Sequence, residues 1–346
     1  MMHIFSRFFG IFLLVLLTAC GSTNSEISTV SVEEIPEIVS EVVVEVEAPD
    51  DCEEVRQPSL QYYICHPVTG KNLVLSFVED RTATYTRYAV MYEVGELKLS
   101  GVLLIPVGDG PFPLVVTNHG HIDTSVYTRG RGLKREQDAL AKVGFAVLHP
   151  DYRNHAESDK DPESNKNLRL GYVEDVMGGI IAVRDSDLPE LQVVDATRVG
   201  MIGHSMGGGI SMQVAVVAPD LVDAIVLYAP VSSDARKNFE RYQLGNRQRV
   251  AVVHEVFEEH GTFEENPQFW DDVSPSEMFD RLKVPVHIHI GSQDESTPPE
   301  WSEEIYEQMV EAGAEVEIFR YEGEKHEFIP QWETFKGRFV ELFGEL

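Results

Sequence analysis

The stretch Ile202-Gly203-His204-Ser205-Met206-Gly207-Gly208-Gly209 sets four glycines around one serine. Just before it, RVGMIG (198–203) is an apolar run of strand character. Just after it, Met206, Ile210, Val214 and Val217 recur at the spacing of a buried helical face. A serine caught between strand and helix in the frame G-x-S-x-G has the form of a nucleophile elbow, a strained turn that lifts the hydroxyl out of the chain. Glycine is needed on either side because a β-carbon there would strike the adjoining strand or helix. The alternative, a tight turn with an inert serine, leaves the rest of the pattern without a purpose.

A serine hydroxyl is a weak nucleophile at neutral pH and needs a base held in place by a third group. In a strand–elbow–helix setting the chain order is serine, acid, histidine. Of the twelve histidines only His326, in GEKHEF, follows the run VPVHIHI (284–290), so it is the expected base. The acid is sought just past that run, in GSQDESTPP, where Asp294 is the first choice and Glu295 the second. The oxyanion formed by attack on a carbonyl calls for backbone donors. One is the amide of Met206, at the positive end of a helix. The other is expected in the loop after PLVVTN (113–118), from His121, with Ile122 next to it.

Outward from the elbow, short Val- and Ile-rich runs alternate with helix-length segments: PLVVTN, FAVLHP (145–150), RVGMIG, AIVLYAP (224–230), VPVHIHI and VEIFRY (316–321). That alternation predicts an α/β fold, a mostly parallel central sheet with helices on both faces, whose chemistry gathers at the carboxyl ends of the strands. YAVMYEV (88–94) and ELKLSGVLLIP (96–106) flank Gly95 as a hairpin leading into it. The segment 232–282 is longer than a simple crossover and reads as a small helical cap inserted over the site. No internal repeat is evident.

These residues resemble the α/β-hydrolase superfamily, and within it the catalytic domain of the prolyl oligopeptidase-like (S9) serine peptidases and their esterase relatives. The resemblance runs from about residue 84 to the end. It rests on GHSMGG, the HG turn at 119–120, DYRNHAESD (151–159), APVS (229–232), the SP of DDVSP, GSQDESTPP and YEGEKHEF. It implies the fold and the Ser205–Asp294–His326 triad, with no metal or organic cofactor. Two departures bear on substrate. The peptidase branch usually has an aromatic residue after the nucleophile, where this chain has Met206, as many esterases and lipases do. The stretch of about sixty residues between 51 and PLVVTN is too short for the propeller that larger members carry.

The ends of the chain set the context. Arg7 precedes the apolar run Phe8–Leu17, too short to span about 30 Å of hydrocarbon, and Leu17-Thr18-Ala19-Cys20 follows. This looks like a bacterial lipoprotein signal (1–20), in which Cys20 is lipidated and anchors the protein to a membrane of the cell envelope. Residues 21–51, without Lys or Arg and rich in Glu, read as a flexible acidic tether. The catalytic domain is then 52–346. Of three cysteines, Cys52 and Cys65 remain in an oxidising setting and are expected to form a structural disulfide, the segment between them being polar and near the surface. A formal net charge of −30 repels nucleic acid and anionic surfaces, so no nucleic-acid partner is expected.

Three other patterns compete. His119, His121 and Asp123 form an H-x-H-x-D frame that could serve a metal-dependent hydrolase, although Thr124 stands where the full motif has histidine. His287 and His289 share one strand face and are expected to be packed and hydrogen-bonded. Tyr127, Tyr152 and Trp270 are candidates for the acyl pocket or for plain packing. The sequence therefore points to an exported, membrane-tethered serine hydrolase of carboxylic esters or small amide and peptide substrates. An S9-type peptidase is the alternative, and a metal-dependent hydrolase or a non-catalytic binding lipoprotein is more remote.

Overall fold

The computed structural model describes Cys52 and residues 55–346; the signal segment, the lipidation site Cys20 and nearly all of the tether lie outside the described residues. Within the unit Ala48–Leu346 the chain opens with α1 (Leu60–Cys65), β1 (Gly70–Arg81), β2 (Tyr85–Val94) and β3 (Leu97–Pro106). It continues through β4 (Phe112–Asn118), α2 (Lys134–Lys142), β5 (Ala146–Pro150), α3 (Gly171–Arg184), β6 (Val194–His204), α4 (Met206–Val217) and β7 (Ala224–Tyr228). After the cap helices α5 (Ala235–Tyr242), α6 (Val250–His260) and α7 (Pro267–Asp272) come β8 (Val286–Gly291), α8 (Pro299–Glu311), β9 (Val316–Tyr321) and α9 (Trp332–Phe343). The strands make one sheet in the order β1-β2-β3-β5-β4-β6-β7-β8-β9. From β5 to β9 every pairing is parallel; β1, β2 and β3 join antiparallel at one end.

The inner apolar runs become strands because they are buried on both faces, while β9, at the edge of the sheet, is only partly covered. In β4, Leu114 and Val116 belong to one apolar cluster and Val115 to the other. The first cluster takes in residues of α3, α4 and α8, the second residues of α2 and α9. The β2–β3 hairpin pairs Val94 with Leu97 across Gly95 and Glu96, with Gly95 at φ 55° as a tight hairpin turn requires. The edge strand β1 pairs only with β2, and its register slips three times, between Lys71 and Val74, Leu75 and Phe77, and Val78 and Asp80.

Cys52 and Cys65 are joined in a disulfide. The segment it closes is less superficial than its polar letters imply: α1, capped by the Ser59 hydroxyl accepting the Tyr62 amide, buries Leu60, Tyr63 and Cys65. Leu60 and Tyr63, three residues apart, share one side of the helix, while Cys65 is buried at its last turn.

The inserted segment after β7 is helical. Its own small core is aromatic: Phe239, Phe263 and Trp270 pack with centroid distances of 5.1 Å (Phe239–Trp270) and 4.6 Å (Phe263–Trp270). The cap also grips the loop after β8, since Arg241 Nε and Tyr242 Oη both donate to the Ser296 carbonyl at 2.9 Å. No described helix is long and apolar enough to cross a membrane.

Candidate active site

β6 runs into Ser205, whose backbone sits at φ 56°, ψ −120°, a conformation an L-residue adopts only where its surroundings force it. The forcing contacts are visible. A β-carbon on Gly203 would lie 2.2 Å from the Gly207 carbonyl oxygen, and one on Gly207 would lie 1.9 Å from that of Asn118. The Ser205 amide donates to the Tyr228 carbonyl at 3.0 Å, and the Ser205 carbonyl accepts from Val231 at 3.1 Å, so β7 holds the turn shut. The side chain is half-buried and faces a cavity.

At the ends of β8 and β9 the two remaining candidates meet. His326 Nδ1 donates to Asp294 Oδ2 at 2.7 Å. Asp294 is 7% exposed, and its other oxygen accepts the amides of Ser296 and Thr297 at 2.8 and 3.0 Å. Burial alone would raise its carboxyl; the bond and charge of His326 and the bonds from Thr297 outweigh that and hold it below the usual carboxylate range. Glu295, one residue on, is exposed. Thr297, which sequence reasoning missed, donates from Oγ1 to Asp294 Oδ2 at 2.8 Å. With Nδ1 committed to Asp294, the imidazole keeps Nε2 for a proton from elsewhere.

His204 braces this histidine. Its Nε2 donates to the His326 carbonyl at 3.0 Å, and the two rings lie 4.5 Å apart. Burial, then the charge of His326, pushes the His204 pKa down to about 3, so it stays neutral. Met206 opens α4, where a first-turn amide has no acceptor within the helix. The loop from His119 presses on Ser205, with a Gly120 β-carbon falling 3.1 Å from Ser205 Cβ. His121 lines the cavity.

The H-x-H-x-D residues do not converge. His119 is buried between the rings of Tyr127 and Tyr152, at 4.8 and 4.3 Å, and its Nδ1 donates to the Gly120 carbonyl. His121 Nδ1 accepts from Arg169 at 3.3 Å, and Asp123 accepts from the amide and hydroxyl of Ser125. Among the described residues no group of three His, Cys, Asp or Glu side chains stands where it could hold a metal ion. His289 is packed, with Nδ1 2.9 Å from Tyr321 Oη, but its Nε2 and the Nδ1 of His287 lack partners.

The cavity above Ser205 measures about 390 Å³ and is roofed by the cap. Its aromatic lining is Tyr172, Phe239 and Tyr242. Tyr127, Tyr152 and Trp270 do not reach it: Tyr152 is stacked between His119 and Tyr172, and Trp270 is in the cap core. Tyr127 instead donates to Asp151 at 2.7 Å, in a buried network completed by Ser100 and the Gly130 amide. The DYRNHAESD segment thus works as a buttress. Its Arg153 forms a buried pair with Asp175, NH2 to Oδ1 at 2.6 Å.

A strand–serine–helix elbow beside an Asp–His pair at the carboxyl edge of a mostly parallel sheet defines an α/β-hydrolase of the serine class. Over residues 126–336 the chain matches the dienelactone hydrolase family, and it belongs to that family. An uncharacterized protein of Mycobacterium tuberculosis is 34% identical over 120 residues, 35% of this chain and 29% of that one, so this chain spans under a third of that relative's length. Among solved structures, acetyl xylan esterase 1 from Thermoanaerobacterium superposes with a TM-score of 0.59 at 20% identity, covering 79% of this chain and 88% of that one. The acylaminoacyl peptidase of Pyrococcus horikoshii gives 0.60 at 20% identity, over 75% and 42%. Both likenesses concern the fold.

Proposed function

We propose that the protein is a serine hydrolase acting on carboxylic esters, with small amide or peptide derivatives as the second choice. The observation that carries this is the 2.7 Å bond between His326 Nδ1 and Asp294, made beside a serine held in a strained elbow at the cavity floor. Ser205 Oγ attacks the carbonyl carbon while its proton passes to His326 Nε2, and the carbonyl oxygen becomes an oxyanion facing the amides of Met206 and His121. Collapse expels the alkoxide, which takes the proton from His326. Water then repeats the sequence on the acyl-enzyme, releasing the acid and Ser205. Asp294 holds the imidazole in the required tautomer and balances its transient charge. Each oxyanion donor lowers the barrier by about 3 kcal/mol.

An ester is favoured over a peptide by the residue after the nucleophile, Met206, and by a cavity of about 390 Å³ beneath the cap, the size of a small-molecule site. The same reading places the enzyme in a cell envelope, tethered through a lipid on Cys20, and the Cys52–Cys65 disulfide supports an oxidising compartment. Covalent labelling by a fluorophosphonate tests the chemistry. It should occur in the wild type with or without a chelator and vanish in Ser205→Ala; labelling that persists in that variant would overturn the assignment. For the anchor, Cys20→Ser should move the protein from the membrane to the soluble fraction of a bacterial host.

A further inference from the structure

One wall of the cavity is helix α5, whose Ala235, Asn238, Phe239 and Tyr242 line it at helical spacing. The end of the same helix reaches the loop that carries Asp294. Arg241 directs its guanidinium at main-chain carbonyls: NH2 donates to that of Glu295 at 2.5 Å and Nε to that of Ser296 at 2.9 Å, with Tyr242 Oη sharing the second acceptor. Acidic side chains outnumber basic ones 58 to 28 in this chain, and the neighbouring Arg236 and Lys237 take carboxylates, those of Asp271 and Glu304. Among the described residues no carboxylate lies within ion-pair distance of Arg241. Its guanidinium is seated over the rings of Trp301 and Tyr242, at 5.7 and 6.0 Å, which restricts how it can turn.

Each of those carbonyls belongs to a planar peptide unit whose N–H points the opposite way. The unit that begins at the Glu295 carbonyl ends at the Ser296 amide, and the one that begins at the Ser296 carbonyl ends at the Thr297 amide. Both amides donate to a single atom, Asp294 Oδ1, at 2.8 and 3.0 Å. Two consecutive peptide units thus have a cap side chain on their oxygens and the carboxylate on their nitrogens. Residues 294–298 belong to no helix or strand, and among the described residues no main-chain amide donates to either carbonyl. Rotation of either unit would withdraw an amide from Asp294. A charged donor on the oxygen also polarises the unit and strengthens its N–H as a donor.

We propose that Arg241 is a positioning residue for Asp294, acting from the cap through two peptide units to hold the carboxylate that orients His326. The inference rests on the reading of Ser205, Asp294 and His326 as a catalytic triad. With Oδ1 fixed by the two amides, Oδ2 is left for His326 Nδ1 and Thr297 Oγ1, at 2.7 and 2.8 Å. A carboxylate free to rotate would carry Oδ2 off the imidazole and let the ring swing. Tyr242 holds only the second unit, which Arg241 Nε holds as well, so its share is smaller. Lifting the cap releases both units together, and the acid is fully aligned only while the cap is seated. The roof therefore serves the reaction as well as the pocket.

Steady-state turnover of p-nitrophenyl acetate and p-nitrophenyl butyrate tests this. Arg241→Met keeps an unbranched side chain against the two rings and should lower kcat by about tenfold on both esters, with KM held within about twofold. Arg241→Lys can reach one carbonyl at a time and should recover part of the loss. Arg236→Met removes the ion pair with Asp271 at the other end of α5; it is the control for a loosened cap and should leave kcat unchanged. In an Asp294→Asn background Arg241→Met should lower turnover no further, because a residue that acts through Asp294 has nothing left to hold. Melting temperatures verify that folded proteins are compared, and Arg241→Lys carries the same comparison with the charge retained. An undiminished kcat, a rise in KM alone, an equal loss in Arg236→Met, or a full tenfold loss on top of Asp294→Asn would each overturn the proposal. Unchanged kcat in Arg241→Met beside a crippled Asp294→Asn removes the positioning role and leaves the triad standing; full turnover in Asp294→Asn removes the triad itself.

Discussion

The floor and the roof of the cavity are built by different means. On the floor Ser205, and beside it Asp294 and His326, are fixed by backbone: a strained turn packed so tightly that two glycines admit no β-carbon, and a carboxylate held by two amides and a hydroxyl. In the roof, α5, α6 and α7 hold together through a few aromatic rings and reach the core through bonds to the Ser296 carbonyl. Helix α6 buries only Val256. The contrast teaches where change should be tolerated under the proposed mechanism: a shift of the floor should cost the reaction, whereas changes in the roof away from Arg241 should alter selectivity first.

The largest expected effect lies on the floor. Asp294→Asn should lower kcat by about 10⁴-fold with little change in KM or melting temperature; a fall of less than tenfold would shift the acid's role to another group. Beneath the floor, Arg153→Met strands the buried Asp175 carboxylate and should cost about 3–5 kcal/mol in denaturant unfolding. Cys52→Ser should cost about 3 kcal/mol for a loop of this length while leaving fluorophosphonate labelling intact, which would show that stability and reactivity are separable.

A pH series probes the same support. Burial, then the charge of His155, depresses the His119 pKa to about 3. The unfolded ring takes up a proton below about 6.5, whereas the folded one does so only near 3. Its stabilising contribution is therefore complete above 6.5 and lost as pH falls through that window. His119→Asn should flatten the decline by about 1 kcal/mol per pH unit, and equal slopes in both proteins would refute the assignment. The smallest effect belongs to the roof: Tyr242→Phe removes one bond to the Ser296 carbonyl and should change kcat/KM by about threefold to tenfold, without touching the labelling of Ser205.

The floor was legible in the letters because each part has a local signature: Gly203 and Gly207 around Ser205, an aspartate just beyond one apolar run, a lone histidine beyond the next. The alternation of apolar runs with helical segments likewise gave the sheet and its cap. What stayed hidden depends on geometry without a letter code. Nothing in NLRL announces that Leu168 and Arg169 turn left-handed at the cavity wall. Thr297 becomes a support of Asp294 only because the loop after β8 folds back. The burial of Tyr63 and Cys65 was masked by polar neighbours, and Tyr152 and Trp270 carry ring surface that says nothing of which side of the wall they occupy.

One consequence concerns assembly. β1 ends the sheet with backbone groups open on one side, and Val74 and Phe77 are 52% and 55% exposed, which makes a template for another chain to extend. The three slips in its ladder with β2 break that template: a flat strand laid alongside would lose its hydrogen bonds every few residues. Arg129 over the Phe77 ring, at 5.1 Å, sets a charge on the most tempting apolar spot. Straightening β1 by removing its irregular residues would be the shortest route from a lone molecule to a fibre.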